Sequence, residues 1–245
     1  MTVAGAPGAG GASALPPARR NLLVRVAAAL VMVPLALGTA WWGGWPYTLL
    51  WGAGALAVLY EWQTLVKGPG GLGSLALWRL AGIAYAAALF AGTMLLRGDP
   101  VFGLSAIMLL FAVVWATDIA GYFVGRTIGG AKLAPRVSPG KTWAGAIGGA
   151  VAAVLAALGV AWVAGSPLLP LVGVGLVLSV ASQAGDLLES AVKRRFGAKD
   201  AGFLIPGHGG VMDRIDGFWA ALVVASLIGL VRGGLDAPAR GLMLW

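Results

Sequence analysis

The sequence predicts an all-α fold, a polytopic transmembrane helix bundle of about 7 spans (range 7–9). Three observations carry this reading. Of 245 residues, 59% are hydrophobic and only 11% charged, with a mean hydropathy of +0.88. A soluble domain carries roughly 25% charged residues, so polar surface is too scarce here to coat a water-soluble globule. Apolar runs long enough to cross a bilayer recur along the chain, and the basic residues between them fall mostly on one side.

Taken in order, residues 1–18 are rich in Ala, Gly and Pro without periodicity and read as a disordered tail. Residues 19–245 read as one transmembrane domain. Arg19, Arg20 and Arg25 flank the first apolar run, 22–40. A secretory leader shares that basic flank, but Trp41, Trp42 and Trp45 suit an interfacial aromatic belt better. Further spans are expected near 47–65, 75–96, 101–122, 143–164, 168–188 and 217–231. The 101–125 stretch is long enough to hide a break. Gly121/Gly125 and Gly145/Gly149 have the small-xxx-small spacing of closely packed helices.

With the N-terminus in the cytoplasm, the inner segments hold Arg19, Arg20, Arg25, Lys67, Arg79, Arg126, Lys132, Arg136, Lys141, Lys193, Arg194, Arg195, Lys199 and Arg214. Only Arg97, Arg232 and Arg240 fall outside. Such a bias places the loops between spans four and five, and between six and seven, in the cytoplasm. The net charge of +8 then reflects basic loops facing anionic lipid and any phosphate site, rather than nucleic acid. There are no cysteines, which excludes disulfides, thiolate metal sites and a thiol nucleophile.

Two inner segments break the apolar pattern, 118–145 and 186–216. The second contains the only histidine and five of the nine acidic residues. Charge clustered at a membrane edge is costly unless something uses it. Asp186, Ser190 and Lys193 share one helix face, which allows either an Asp186–Lys193 ion pair or a cation ligand beside a phosphate-binding lysine. Lys193, Arg194, Arg195, Lys199 and Asp200 precede the run Pro206-Gly207-His208-Gly209-Gly210. Such glycines expose backbone N–H groups and admit a ligand closely. Asp213 and Asp216 follow at the start of the last long helix, where carboxylates also serve as caps. Three carboxylates among five cations give the charge balance of a Mg2+–polyphosphate site.

The first segment adds Asp118 and Tyr122, one turn apart, and Ser138-Pro139-Gly140-Lys141-Thr142. Gly140-Lys141-Thr142 echoes the end of a P-loop, but Pro135 stands where that motif needs glycine. Lys132, Arg136 and Lys141 remain as a second basic patch.

The run Ser190-Ala-Val-Lys193-Arg194, Lys199-Asp200 and Pro206-Gly-His-Gly-Gly-Val-Met-Asp213-Arg214-Ile-Asp216 resembles the signature of phosphatidate cytidylyltransferases (CDP-diacylglycerol synthases). Lys132-Leu-Ala-Pro135 and Ser138-Pro-Gly-Lys-Thr-Trp143 resemble that family's preceding block, with departures at Gly130, Ala131 and Ala144. The resemblance implies that a phosphate oxygen of phosphatidate attacks the α-phosphorus of CTP, releasing pyrophosphate and forming CDP-diacylglycerol. It implies Mg2+ as cofactor, alone or accompanied by K+, with Asp186 and Asp213 as ligands. Lys193 and His208 join them as catalytic residues. Substrate contacts are expected from Ser138, Lys141, Thr142, Ser190, Arg194, Lys199, Asp200, Gly209, Gly210, Arg214, Asp216, Asp118 and Tyr122. The implied setting is a bacterial inner membrane, with CTP, phosphatidate and membrane lipids as partners, a homodimer compatible, and no nucleic acid. Two alternatives stay open: a CTP-dependent polyprenol kinase, and an organic-anion transporter, although no internal repeat supports the latter.

Overall fold

The computed structural model describes residues 17–67, 72–205 and 209–245. The expected tail lies outside them except for Pro17 and Ala18, which open the first helix rather than end a disordered segment. In chain order the elements are α1 (Pro17–Trp42), α2 (Gly44–Leu65), α3 (Leu72–Arg97), α4 (Gly103–Thr127), β1 (Lys132–Ala134), β2 (Ser138–Thr142), α5 (Trp143–Ala164), α6 (Leu168–Arg195), α7 (Met212–Gly233) and the short α8 (Pro238–Met243).

Among the described residues, five helices are long and apolar enough to cross a membrane: Gly73–Arg97, Gly103–Thr127, Trp143–Ala164, Leu168–Arg195 and Met212–Gly233. The chain is therefore a polytopic α-helical membrane protein. The described apolar part of α1, Val26–Trp42, is shorter. From Gly103 onward the 101–125 stretch is continuous helix, without the break its length allowed.

The α-helical fold carries one short β element. Residues 132–142 form an antiparallel hairpin, with Lys132 opposite Thr142 and Ala134 opposite Ser138. Pro135 and Pro139 disfavour helix there, and the chain reverses at once into α5. Thr142 opens that helix as its N-cap, its hydroxyl accepting from the Gly145 N–H at 3.1 Å.

The small-residue spacing does what it suggested. α4 and α5 form the most extensive helix pair. A methyl at Gly145 would stand 2.6 Å from the Gly121 carbonyl, and one at Gly149 2.7 Å from that of Thr117. Backbones this close gain dispersion contacts along the whole seam, and in lipid, packing rather than hydrophobicity holds helices together. α6 joins the pair through polar contacts: Thr117 and Ser179 hydroxyls are 2.8 Å apart, and Gln183 donates to the Ala146 carbonyl at 3.2 Å.

The two ends of the bundle differ. At one, Arg97 Nε donates to the Ala40 carbonyl at 2.7 Å and closes the C-terminus of α1, while α8 packs on α7. At the other lie the C-termini of α2, α4 and α6, the hairpin, and residues 196–205 and 209–211 between α6 and α7. Both motif segments meet there.

Candidate active site

The C-terminal half of α4, the hairpin, the start of α5 and the middle of α6 enclose a cleft of 710 Å3. Its walls carry Asp118, Tyr122, Arg126, Lys132, Ser138, Lys141, Thr142, Gln183 and Asp186. Every substrate contact expected from the first segment is here, with Lys132 but not Arg136 of its basic patch, together with Asp186 from the second. The hairpin makes this possible, because β2 brings Lys141 across the seam to form an ion pair with Asp186 on α6. The Ser190 hydroxyl lies 3.4 Å from the other Asp186 oxygen. Both members of the ion pair keep about a third or less of their side-chain surface exposed, so they face the cleft without filling it.

A second charged group lies deeper between α6 and α7. The Lys193 ammonium donates to Asp213 Oδ1 at 2.6 Å and sits 2.8 Å from Glu189 Oε1, off the line of a hydrogen bond. Asp213 also accepts from the N–H groups of Ala201, at 3.0 Å, and Gly210, at 2.8 Å. Gly209 takes a φ of +85°, and its missing side chain leaves room for the same carboxylate. Ala201, Gly209 and Gly210 thus gather around the Asp213 carboxylate.

These contacts correct one sequence reading and refine another. Asp186 and Lys193 share a helix face but do not pair with each other; Lys141 takes Asp186, and Lys193 turns to Glu189 and Asp213. Asp186 and Asp213, expected to share a metal, are thus each held by a different lysine. Asp216 is the carboxylate close enough to Asp186 and Glu189 for their charges to interact, and Asp118 is within similar reach of Asp186, Asp216, Lys141 and Arg214. Among the described residues, no three His, Asp or Glu side chains converge as metal ligands. Arg194, Lys199, Asp200 and Arg214 are exposed around the loop. His208 lies outside the described residues.

Sequence reasoning missed Arg126 and Gln183 as cleft residues, and Glu189 as the buried partner of Lys193. The signal for Glu189 was present: it stands at i−4 from Lys193, the spacing of a helical ion pair. Glu61 on α2 was missed as well. Nothing in sequence links it to a loop 150 residues away.

The arrangement, a cationic and acidic cleft at one end of a membrane bundle, with the backbone of Ala201 and Gly210 bound to a shielded aspartate, suits phosphate chemistry at a lipid surface. Residues 74–231 match the sequence pattern of the cytidylyltransferase family. The chain belongs to that family. It is 42% identical over 264 residues to the phosphatidate cytidylyltransferase of Brucella suis biovar 1, covering 89% of this chain and 97% of the relative. The phosphatidate cytidylyltransferase of Rickettsia bellii is 31% identical over 88% of this chain and 92% of its own length. That of Bacillus subtilis is 39% identical over 67% and 61%. As a cytidylyltransferase the chain is a nucleotidyltransferase, and its 710 Å3 cleft has the size of a ligand site.

Proposed function

We propose that this protein transfers CMP from CTP to phosphatidate, forming CDP-diacylglycerol and pyrophosphate, a step of phospholipid biosynthesis. The observation that carries the reading is the cleft joined across its mouth by Lys141 and Asp186, one residue from each motif segment. A water-soluble nucleotide and a lipid headgroup can meet only where a membrane bundle opens at its polar end. The cleft is at such an end.

The chemistry asks for positioning and charge neutralisation rather than a protein nucleophile, because the phosphate of phosphatidate is already anionic. Arg126, Lys132 and Lys141 on the cleft walls supply cations for the phosphates. As phosphate oxygens arrive, Lys141 can exchange its contact with Asp186 for one with substrate. The hydroxyls of Ser138, Thr142 and Tyr122 are placed to donate to phosphate or sugar oxygens. Lys193 and Asp213 join the end of α6 to the start of α7, with Arg194, Lys199 and Arg214 exposed nearby as further phosphate contacts. Asp200 and His208, between these helices in sequence, add substrate contacts.

Mg2+, with or without K+, is part of the proposal. Hard carboxylate oxygens suit it, and one or two carboxylates with substrate phosphates complete its usual coordination. Asp186 faces the cleft and is the best-supported ligand, with Asp216 beside it. Asp213, the second ligand expected from the sequence, joins them only by releasing Lys193, since both its oxygens already accept hydrogen bonds. When bound, the ion neutralises charge that builds on the transferred phosphoryl group.

The full reading includes seven spans, both motif segments in the cytoplasm of a bacterial inner membrane, and compatibility with a homodimer. The decisive experiment incubates the purified protein with CTP labelled in the α-phosphate, phosphatidate and Mg2+, then extracts the lipid. Label should enter a CDP-lipid in step with pyrophosphate release. Phosphate transfer from γ-labelled CTP to a polyprenol would instead establish the kinase alternative.

A further inference from the structure

Glu61 lies on α2, far in sequence from both motif segments, and is buried with 1% of its surface exposed. Its carboxylate binds no cation among the described residues. Instead Oε1 accepts from the Val211 N–H at 2.9 Å and Oε2 from the Met212 N–H at 2.8 Å. Those groups open α7. The first N–H groups of a helix have no intrahelical partner and are normally satisfied by a side chain just before it. Here the residue before α7, Val211, has no capping side chain. A carboxylate from another helix does the work, in a position the helix dipole favours.

The loop is built to admit it. A methyl at Gly202 or at Gly210 would stand 2.6 Å from a Glu61 carboxylate oxygen, so a side chain at either position would push that carboxylate off its partners. The same stretch is held from its other side by Asp213, through the N–H groups of Ala201 and Gly210. Two carboxylates therefore clamp one loop, Glu61 from α2 and Asp213 from the first turn of α7. That turn also begins the helix that carries Arg214 and Asp216.

We propose that Glu61 is a positioning residue for the reaction: by capping α7 in trans, it fixes the backbone at 210–212 and the Lys193–Asp213 pair relative to the cleft. It does not line the cleft and is not expected to touch substrate. The inference deepens the function proposed above and rests on that reading.

The test compares wild type, Glu61→Gln, Gly210→Ala and the exposed α2 control Leu56→Ala in detergent. Thermal unfolding, CTP turnover with phosphatidate, and amide hydrogen exchange across 200–216 are measured for each. Glutamine keeps the length but offers an NH2 where an N–H must be accepted, so one cap bond becomes a clash of donors. Misplacement at this range is expected to lower kcat by about a hundredfold while KM for CTP changes by less than about threefold. Exchange at Val211 and Met212 should rise without global unfolding. Gly210→Ala, which strikes the same carboxylate, should reproduce the effect, and the double variant should be no worse than either single one. Leu56→Ala should match wild type. Should Glu61→Gln fail to fold, Gly210→Ala carries the same comparison. A folded variant with kcat within about twofold of wild type overturns the inference. If wild type itself does not turn over these substrates, the function reading fails instead. Exchange then decides whether Glu61 holds the loop, and unchanged protection at 211–212 overturns it.

Discussion

Lys193 donates to Asp213 at 2.6 Å, across the gap between α6 and α7, and Glu189 stands against the same ammonium from one turn below. The pair is mostly shielded: the side chains keep 11% and 6% of their surface. A charge pair so placed does more than neutralise itself. It sets how the last turn of α6 meets the first turn of α7, and the backbone of the loop between them hangs on the same carboxylate.

Replacing Lys193 with alanine leaves two buried carboxylates without their cation. Breaking a buried pair in this way costs about 3–5 kcal/mol, so thermal unfolding in detergent should move down by several degrees. CMP transfer should fall by about tenfold or more even below the new transition, since the loop loses its anchor. Lys67→Ala, on an exposed position after α2, should change neither quantity. Equal and small effects at the two sites would reduce the Lys193 cluster to a topological anchor.

Asp186→Asn and Asp213→Asn should part company. Asp186 has one strong partner, Lys141, and a part-exposed side chain, so the asparagine variant should unfold like wild type. Its activity should drop by about a hundredfold, with a steeper requirement for Mg2+. Asp213→Asn removes the charge and turns one of two oxygens that accept from three donors into a donor itself, so it should lose stability as well, by about 1–3 kcal/mol. Melting curves beside Mg2+ titrations of CTP turnover separate the cases. An Asp213→Asn protein as stable as wild type contradicts the anchoring role.

The α4–α5 seam can be tested by adding single methyl groups. Gly149→Ala points at the Thr117 backbone, which cannot swing aside, and overpacking of that kind costs about 1–3 kcal/mol. Gly159→Ala on the same helix meets nothing within 4 Å and should leave stability unchanged or raise it by up to about 1 kcal/mol. Thermal unfolding of both proteins under one condition is sufficient, and the reverse order would refute the close-packed seam.

Because the chain has no cysteine, topology can be read with one thiol at a time. Cysteines at Ala134 in the hairpin and Ala198 after α6 should resist an impermeant maleimide in intact cells and react after lysis. Both positions lie at the same end of the bundle, so they must respond alike. Labelling of either one in sealed cells would reverse the assigned orientation.

Much of this protein was legible in its sequence, because a bilayer constrains a chain severely. Hydropathy located the helices, since an unsatisfied backbone group in lipid costs more than any local preference can offset. The glycine spacings located the α4–α5 seam, because only a missing side chain lets backbones approach so closely. Position along the chain also singled out Asp118, Tyr122, Lys141 and Asp186 as candidates, since polar groups are scarce and costly at that depth, and the fold brings all four to one cleft. What no spacing could reveal was the pairing. Asp186 and Lys193 share a helix face, yet each finds its partner elsewhere, because the hairpin delivers Lys141 to one and α7 delivers Asp213 to the other. Glu61 is the clearest case. In sequence it is one acid in an apolar helix, and only when α2 packs beside the loop before α7 do two orphan N–H groups come within its reach. Helix periodicity is a property of neighbours along the chain, whereas a hydrogen bond depends on distance in space.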